Sequence, residues 1–280
     1  MRSSKNALAK KISEFNSGYC AEVPTVEQSR KFLDNLVNTL FPIRKNCEFD
    51  KEVISSELDT LAGELKELLD SFSKSLDRPP SELVDDFFTR VPGAFEELAC
   101  DAITVTQLDP AATCLEEIIL CYPGFYAITV YRMAHILYKL KIPVLPRIMA
   151  EYAHEKTGID IHPGAQIASP FFIDHGTGIV IGETAHIGKE VRIYQGVTLG
   201  ALTVEKHMAN TKRHPTIEDH VVIYAGSTIL GGNTVVGHHT VVGGNTWITE
   251  SILPHSVVYR NHRVEVKDRK DFNPPNDFVI

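Results

Sequence analysis

A chain of 280 residues, 43% apolar and 23% charged, has room for one large or two modest domains and an ordinary globular composition. Its formal net charge of −8 argues against nucleic acid or an anionic membrane as main partner, and no run approaches the roughly 18–20 apolar residues of a membrane span. Cys20, Cys47, Cys100, Cys114 and Cys121 are odd in number and lack metal-site spacing, so the sequence predicts reduced thiols and a cytoplasmic protein, not a disulfide framework.

In chain order, the start leads into an amphipathic segment rather than an apolar signal region. Thr25 followed by Gln28 is a capping-box pattern, opening a helix with Phe32, Leu33, Leu36, Val37 and Leu40 at helical spacing, which Pro42 helps to end. Leu58, Leu61, Leu65, Leu68 and Leu69 form a second apolar stripe. Pro79-Pro80-Ser81 breaks the chain before another helix, and Asp109-Pro110 reads as an N-cap with proline at the first helical position. Phe125–Leu140 is apolar on most sides and is expected to be buried. Residues 1–158 thus read as an α-helical assembly domain; they carry 24 Asp/Glu against 18 Lys/Arg, and so −6 of the net charge.

Glycine marks a change: 14 of 18 lie between Gly158 and Gly244. A six-residue step also begins there, through Ile161, Ile167 and Ile173, then Ile181, Ile187, Ile193 and Leu199, then Ile217, Ile223, Ile229, Val235, Val241, Trp247 and Leu253. Thirteen of these 14 positions are Ile, Leu or Val. Six is not a helical period. A chain turning a corner every six residues, with the repeated aliphatic inward, closes a triangular coil of three sides, and stacked coils pair as parallel strands about 4.8 Å apart. The span 159–258 holds about five such coils, and 259–280 reads as a Pro-rich tail, disordered when alone.

This periodicity resembles the hexapeptide-repeat acyltransferases, which implies an α+β fold class: an N-terminal α-helical domain followed by a left-handed parallel β-helix as the catalytic domain. The crossover rule alone would favour the right hand. Asp160-Ile161-His162-Pro163, Asp174-His175-Gly176-Thr177-Gly178 with Ile181-Gly182-Glu183-Thr184, Gln195-Gly196-Val197-Thr198-Leu199-Gly200 and Arg213-His214-Pro215 are similar to the serine O-acetyltransferases, as are Asp109-Pro110-Ala111 and Gly124-Phe125-Tyr126-Ala127 upstream. The resemblance implies direct transfer of acetyl from acetyl-CoA to L-serine, with His175 as general base and Asp160 as the carboxylate that orients it. It implies Arg213 at the serine carboxylate, Asp109 and Asp174 at its ammonium, His214 completing the polar site, and CoA near Ala201, Ala225 and Gly243. It further implies a homotrimer or dimer of trimers with sites between neighbouring β-helices, feedback inhibition by L-cysteine, docking of O-acetylserine sulfhydrylase through Ile280, and no metal.

The sequence departs from that pattern at Tyr126, where many members have histidine, and between Ala201 and Lys212, where their loop is glycine-rich. His207, His214 and His220 are spaced histidines, but Lys212 and Arg213 beside them disfavour a metal. Two other readings stay open: a hexapeptide transferase acting on a sugar or another amino acid, and a γ-type carbonic anhydrase on the same fold. A non-catalytic scaffold that binds the sulfhydrylase is a third.

Overall fold

The computed structural model describes residues 2–17, 23–45, 50–202 and 211–260. Cys20, Cys47, His207 and Ile280, most of the 201–212 loop and nearly all of the 259–280 tail lie outside them. Seven α-helices come first: α1 (Arg2–Ser17), α2 (Val26–Leu40), α3 (Lys51–Asp70), α4 (Pro80–Leu108), α5 (Leu115–Cys121), α6 (Pro123–Lys139) and α7 (Leu145–Thr157). The capping box forms as expected: the Thr25 hydroxyl accepts from the Gln28 backbone N–H, and the Gln28 side chain accepts from that of Thr25. Pro80 occupies the first turn of α4, and α6 is buried along most of its length.

Asp109 differs from expectation. It follows the C-terminus of α4 instead of opening a helix, and its Oδ1 accepts the Ala111 N–H at 2.8 Å. Proline directly after a helix end stops the helix as readily as it starts one, and the next helix waits until Leu115.

From Asp160 the chain winds five triangular coils of parallel strands. Face A holds β1 (Asp160–Ile161), β4 (Val180–Ile181), β7 (Thr198–Gly200), β10 (Thr228–Leu230) and β13 (Trp247–Ile248). Face B holds β2 (Gln166–Ile167), β5 (His186–Ile187), β8 (Thr216–Ile217) and β11 (Val235–Val236), with Ile252 bridging Val236 in the last coil. Face C holds β3 (Phe171–Asp174), β6 (Val191–Tyr194), β9 (Val222–Ile223), β12 (Val241–Val242) and β14 (Val257–Val258). The β-helix is left-handed.

The repeated aliphatics from Ile161 to Ile229 point inward and are buried. Each side chain so removed from water contributes on the order of 1.5–3 kcal/mol. Beyond Ile229 the expected phase fails by one residue. Val236, Val242 and Ile248 are the buried residues, whereas Trp247 is 71% and Leu253 79% exposed. The turn at Gly231, φ +106°, holds one extra residue, and side chains alternate along a strand, so one residue exchanges the inner and outer sets.

A buried ion pair fastens the helices to the coil. Arg132 of α6 donates to Asp101 Oδ2 of α4 at 2.8 Å, while Asp101 Oδ1 accepts the Phe171 N–H and the Ser169 hydroxyl, both at 2.9 Å. The last third of α4 and the middle of α6 are thereby held against face C. Among the described residues no helix is long and apolar enough to cross a membrane, and Cys100, Cys114 and Cys121 are free thiols.

Candidate active site

Interruptions of the six-residue step carry the expected site residues. The two-residue insertion after Ile173 forms the edge between faces C and A. Asp174 ends β3 there, and His175 follows in a left-handed conformation, φ +58°. The imidazole is 69% exposed, with Nδ1 3.2 Å from Asp174 Oδ1. Burial pushes the Asp174 carboxyl up; the adjoining imidazole pulls it back, and the negative charge of Asp109 adds to the rise.

Asp109 reaches this edge from the end of α4. Its Oδ2 accepts the Tyr122 hydroxyl at 2.7 Å, and burial together with that carboxylate raises the phenol. Tyr194, in register with Asp174, stacks on Tyr224 with ring centres 4.9 Å apart. The edge thus presents two carboxylates, an exposed imidazole and a wall of phenols.

Asp160 starts β1 in the coil below, in register with Val180. Strand alternation turns Ile161 inward and Asp160 outward on face A, where its charge acts on His162. Among the described residues no hydrogen bond or ion pair joins Asp160 to His175; the carboxylate beside Nδ1 is Asp174, the chain neighbour.

Arg213 and His214 arrive at the other end of face A, at its edge with face B. Arg213 Nη2 is ion-paired with Glu183 Oε2, and Glu183 Oε1 accepts the Tyr138 hydroxyl at 2.8 Å. Burial opposes the Glu183 charge, but those two hydrogen bonds outweigh it and hold the carboxyl below its usual range. His214 is 8% exposed, with Nδ1 facing the Thr184 N–H at 3.0 Å and its hydroxyl at 2.8 Å. Burial, reinforced by Arg213, lowers its pKa to about 4. A neutral ring accepting at Nδ1 carries its proton on Nε2, so His214 stands as a fixed donor. Gly182 makes room for it, because a Cβ there would lie 2.1 Å from Nε2.

The expected site residues therefore fall into two groups within one chain: Asp109, Asp174 and His175 at one edge, Arg213 and His214 at the other, Asp160 on the face between. From Ile179 to Glu183 the edges are on the order of 15 Å apart at about 3.3 Å per residue. Ala225 and Gly243 lie on the His175 edge two and three coils further on, and Ala201 follows β7 toward the Arg213 edge. Along the His175 edge Gly178, Gly196 and Gly226 take left-handed turns at φ +81°, +72° and +71°, and Asn245 takes the next at φ +56°.

Tyr122, Tyr138, Thr184 and Tyr194 also belong to these groups, although sequence reasoning gave them no role. Thr184 stands in a quoted motif; the tyrosines carry no spacing signal, because their partners come from other elements. His214 and His220 lie on different edges, so these two of the spaced histidines do not converge. Among the described residues one trio, His238, His239 and His255, brings metal-ligating atoms within 4.8 Å of one another, on the third edge.

No protein-family model matches the chain. Over 182 residues it is 51% identical to the plasmid-encoded serine acetyltransferase of Synechococcus elongatus, covering 63% of this chain and 57% of that protein. It is 48% identical over 125 residues to the serine acetyltransferase of Helicobacter pylori, covering 45% of this chain and 71% of that protein. The cyanobacterial relatives are matched over 51–57% of their own length. Among solved structures, Entamoeba histolytica serine acetyltransferase 1 in complex with L-cysteine is 40% identical with a TM-score of 0.74, covering 84% of this chain and 87% of that one. A serine acetyltransferase complex with CoA is 28% identical, TM-score 0.56, over 82% of this chain and 98% of that one. That of Neisseria gonorrhoeae in complex with serine is 25% identical, TM-score 0.58, over 85% and 95%.

Proposed function

We propose that this chain, which belongs to the serine acetyltransferase family, transfers the acetyl group of acetyl-CoA to the hydroxyl of L-serine, giving O-acetyl-L-serine and CoA. His175 takes the hydroxyl proton as the serine oxygen attacks the thioester carbonyl carbon. The tetrahedral intermediate collapses with cleavage of the C–S bond, and the imidazolium returns the proton to the departing thiolate. Asp174 holds the ring at Nδ1 and, with Asp109, faces the substrate ammonium; Asp160 adds negative charge one coil away. Arg213, steadied by Glu183, and the Nε2–H of His214 take the substrate carboxylate. CoA runs along the glycine edge past Ala225 and Gly243, with Ala201 at the loop of a neighbouring copy. No step calls for a metal.

The observation that carries this reading is the separation of the two groups. A serine spans a few ångström, so it cannot touch both edges of one coil. Three copies about an axis bring the His175 edge of each against the Arg213 edge of the next, which supports a homotrimer with sites between β-helices. Residues 1–158 serve assembly in this reading; the exposed apolar stripe Leu8, Ile12 and Phe15 on α1 supports pairing of trimers. L-cysteine, one atom different from serine, fits the same contacts as an inhibitor, and Ile280 offers a terminal side chain to O-acetylserine sulfhydrylase. Free thiols support a cytoplasmic location.

A substrate panel followed by release of free CoA, with and without L-cysteine, tests the activity; a sugar preferred over L-serine overturns it. Complementation tests the shared site. At L-serine well below KM, where His175→Ala lacks the base and Arg213→Ala barely binds substrate, the two proteins co-assembled at equal amounts regain about a quarter of full activity, because one site in four then combines both intact halves. No recovery in verified mixed trimers overturns the shared site.

A further inference from the structure

The edge between faces B and C lies opposite face A, away from both halves of the proposed site. Its left-handed corner positions in successive coils are Glu190, His220, His239 and His255, at φ +57°, +59°, +58° and +57°. Glycine takes that conformation without strain and fills it at Gly178, Gly196 and Gly226 on the His175 edge, with Asn245 in the next coil. Here four side-chain-bearing residues do, three of them histidines, and strain retained in a repeating register calls for a use.

The rings converge. His238 Nδ1 and His239 Nδ1 are 3.1 Å apart, and one ring nitrogen of His255 completes a set whose members lie within 4.8 Å of one another. Two imidazole nitrogens bound tetrahedrally to Zn²⁺ at about 2.0–2.1 Å stand about 3.3 Å apart. His238 and His239 are near that spacing already, and the exposed His255 ring, stacked on His239 with centres 5.0 Å apart, needs a turn to close the remainder. The backbone beneath is fixed: the His238 N–H donates to Glu218 Oε2 at 2.8 Å, the His239 N–H to the Asp219 carbonyl at 3.0 Å, and the His255 N–H to the His238 carbonyl at 2.9 Å.

Below the trio, His220 packs on His239 with ring centres 4.4 Å apart and has Nδ1 3.2 Å from Glu190 Oε2, which holds it as a support under the His239 ring. A groove of about 850 Å³ along face B reaches His238 and His239 and gives access from solvent.

We propose that His238, His239 and His255 form a site for a borderline divalent transition ion such as Zn²⁺, which fastens the last coil to the one before it. His238 and His239 belong to the fourth coil and His255 to the fifth, whose strands pair on one side only. All three ligands come from one chain, a water fills the fourth position, and neutral imidazoles select Zn²⁺ over Mg²⁺.

The test uses the full chain, stripped of metal with chelator, dialysed against Zn²⁺ and analysed for bound metal. The comparison is the double variant His239→Asn, His255→Asn, because asparagine accepts the left-handed conformation and keeps the corners folded. The expected result is about one Zn²⁺ per chain more in the parent than in the variant. Zn²⁺, but not Mg²⁺, should also slow amide exchange across residues 252–258 of the parent alone, while acetyl transfer stays unchanged in both. Equal Zn²⁺ content in the two proteins overturns the site; bound Zn²⁺ without added protection of the last coil overturns its role as a fastener.

Discussion

At the edge between faces C and A, Gly178, Gly196 and Gly226 hold the left-handed turns of three successive coils, with Asn245 in the next; at the edge between faces B and C, Glu190, His220, His239 and His255 do so in nearly the same conformation. The backbone problem is shared and the surfaces are opposite. The three glycines leave peptide groups open beside His175 and the stacked tyrosines, where a long, flexible ligand can lie close to the backbone. Non-glycine residues accept roughly 1–2 kcal/mol of strain per position and gain a ladder of side chains at the spacing of paired strands. A coil that must turn at fixed intervals thus allows one edge to be made for a ligand's length and another for convergent side chains.

The difference is broken hardest at His175. His175→Ala should lower kcat by about 10²–10⁴-fold while the oligomer, checked by light scattering, is unchanged; a variant retaining most turnover removes the base from the proposal. Arg213→Ala comes next. Loss of a charge-assisted contact worth about 1.5–3 kcal/mol should raise KM for L-serine by roughly 10–100-fold, more than it lowers kcat, with Arg213→Lys recovering part.

Gly196→Ala probes the three glycine turns. A Cβ there meets Gly226 at 3.4 Å, so space is adequate and the cost is the strained φ of +72°. Stability should fall by about 1–2 kcal/mol, and KM for acetyl-CoA should rise several-fold with that for serine unchanged. An unaltered KM for acetyl-CoA moves the cosubstrate off this edge. On the opposite edge, the double variant His239→Asn, His255→Asn should leave both KM values unchanged.

The Arg213 edge supplies a pH test. Folded His214 titrates at about 4, against about 6.5 in the unfolded chain. Between those values the unfolded chain binds a proton that the folded one refuses, so stability falls as the solution is acidified through that window. The slope is at most about 1.4 kcal/mol per pH unit. Urea unfolding should show a loss of about 2 kcal/mol from pH 7 to pH 5 that His214→Gln largely abolishes; an equal loss in the variant assigns the effect to other groups.

The six-residue step from Ile161 to Ile229, the capping box at Thr25 and the interruptions around His175 and Arg213 were legible in the chain itself. They are local: inward burial every sixth residue, one side chain satisfying one helix end, and insertions that break a strict repeat. The phase beyond Ile229 was not, because one extra residue at Gly231 preserves the composition of Val235-Val236 and Val241-Val242 while exchanging which of each pair is buried. Nor was the role of Asp109 at a helix end, where proline serves either direction.

The primary structure by itself determined the helices, the triangular coil and the residues proposed for acyl transfer, since periodicity and residue type suffice to single those out. Which residues meet was decided only by the folded coil. Its corners place His175 against Asp174 rather than Asp160, set Arg213 at the far end of the same face, and gather His238, His239 and His255 from two coils. Those outcomes depend on register between stacked turns, and register follows the insertions and strained corners of the whole solenoid, not any segment read alone.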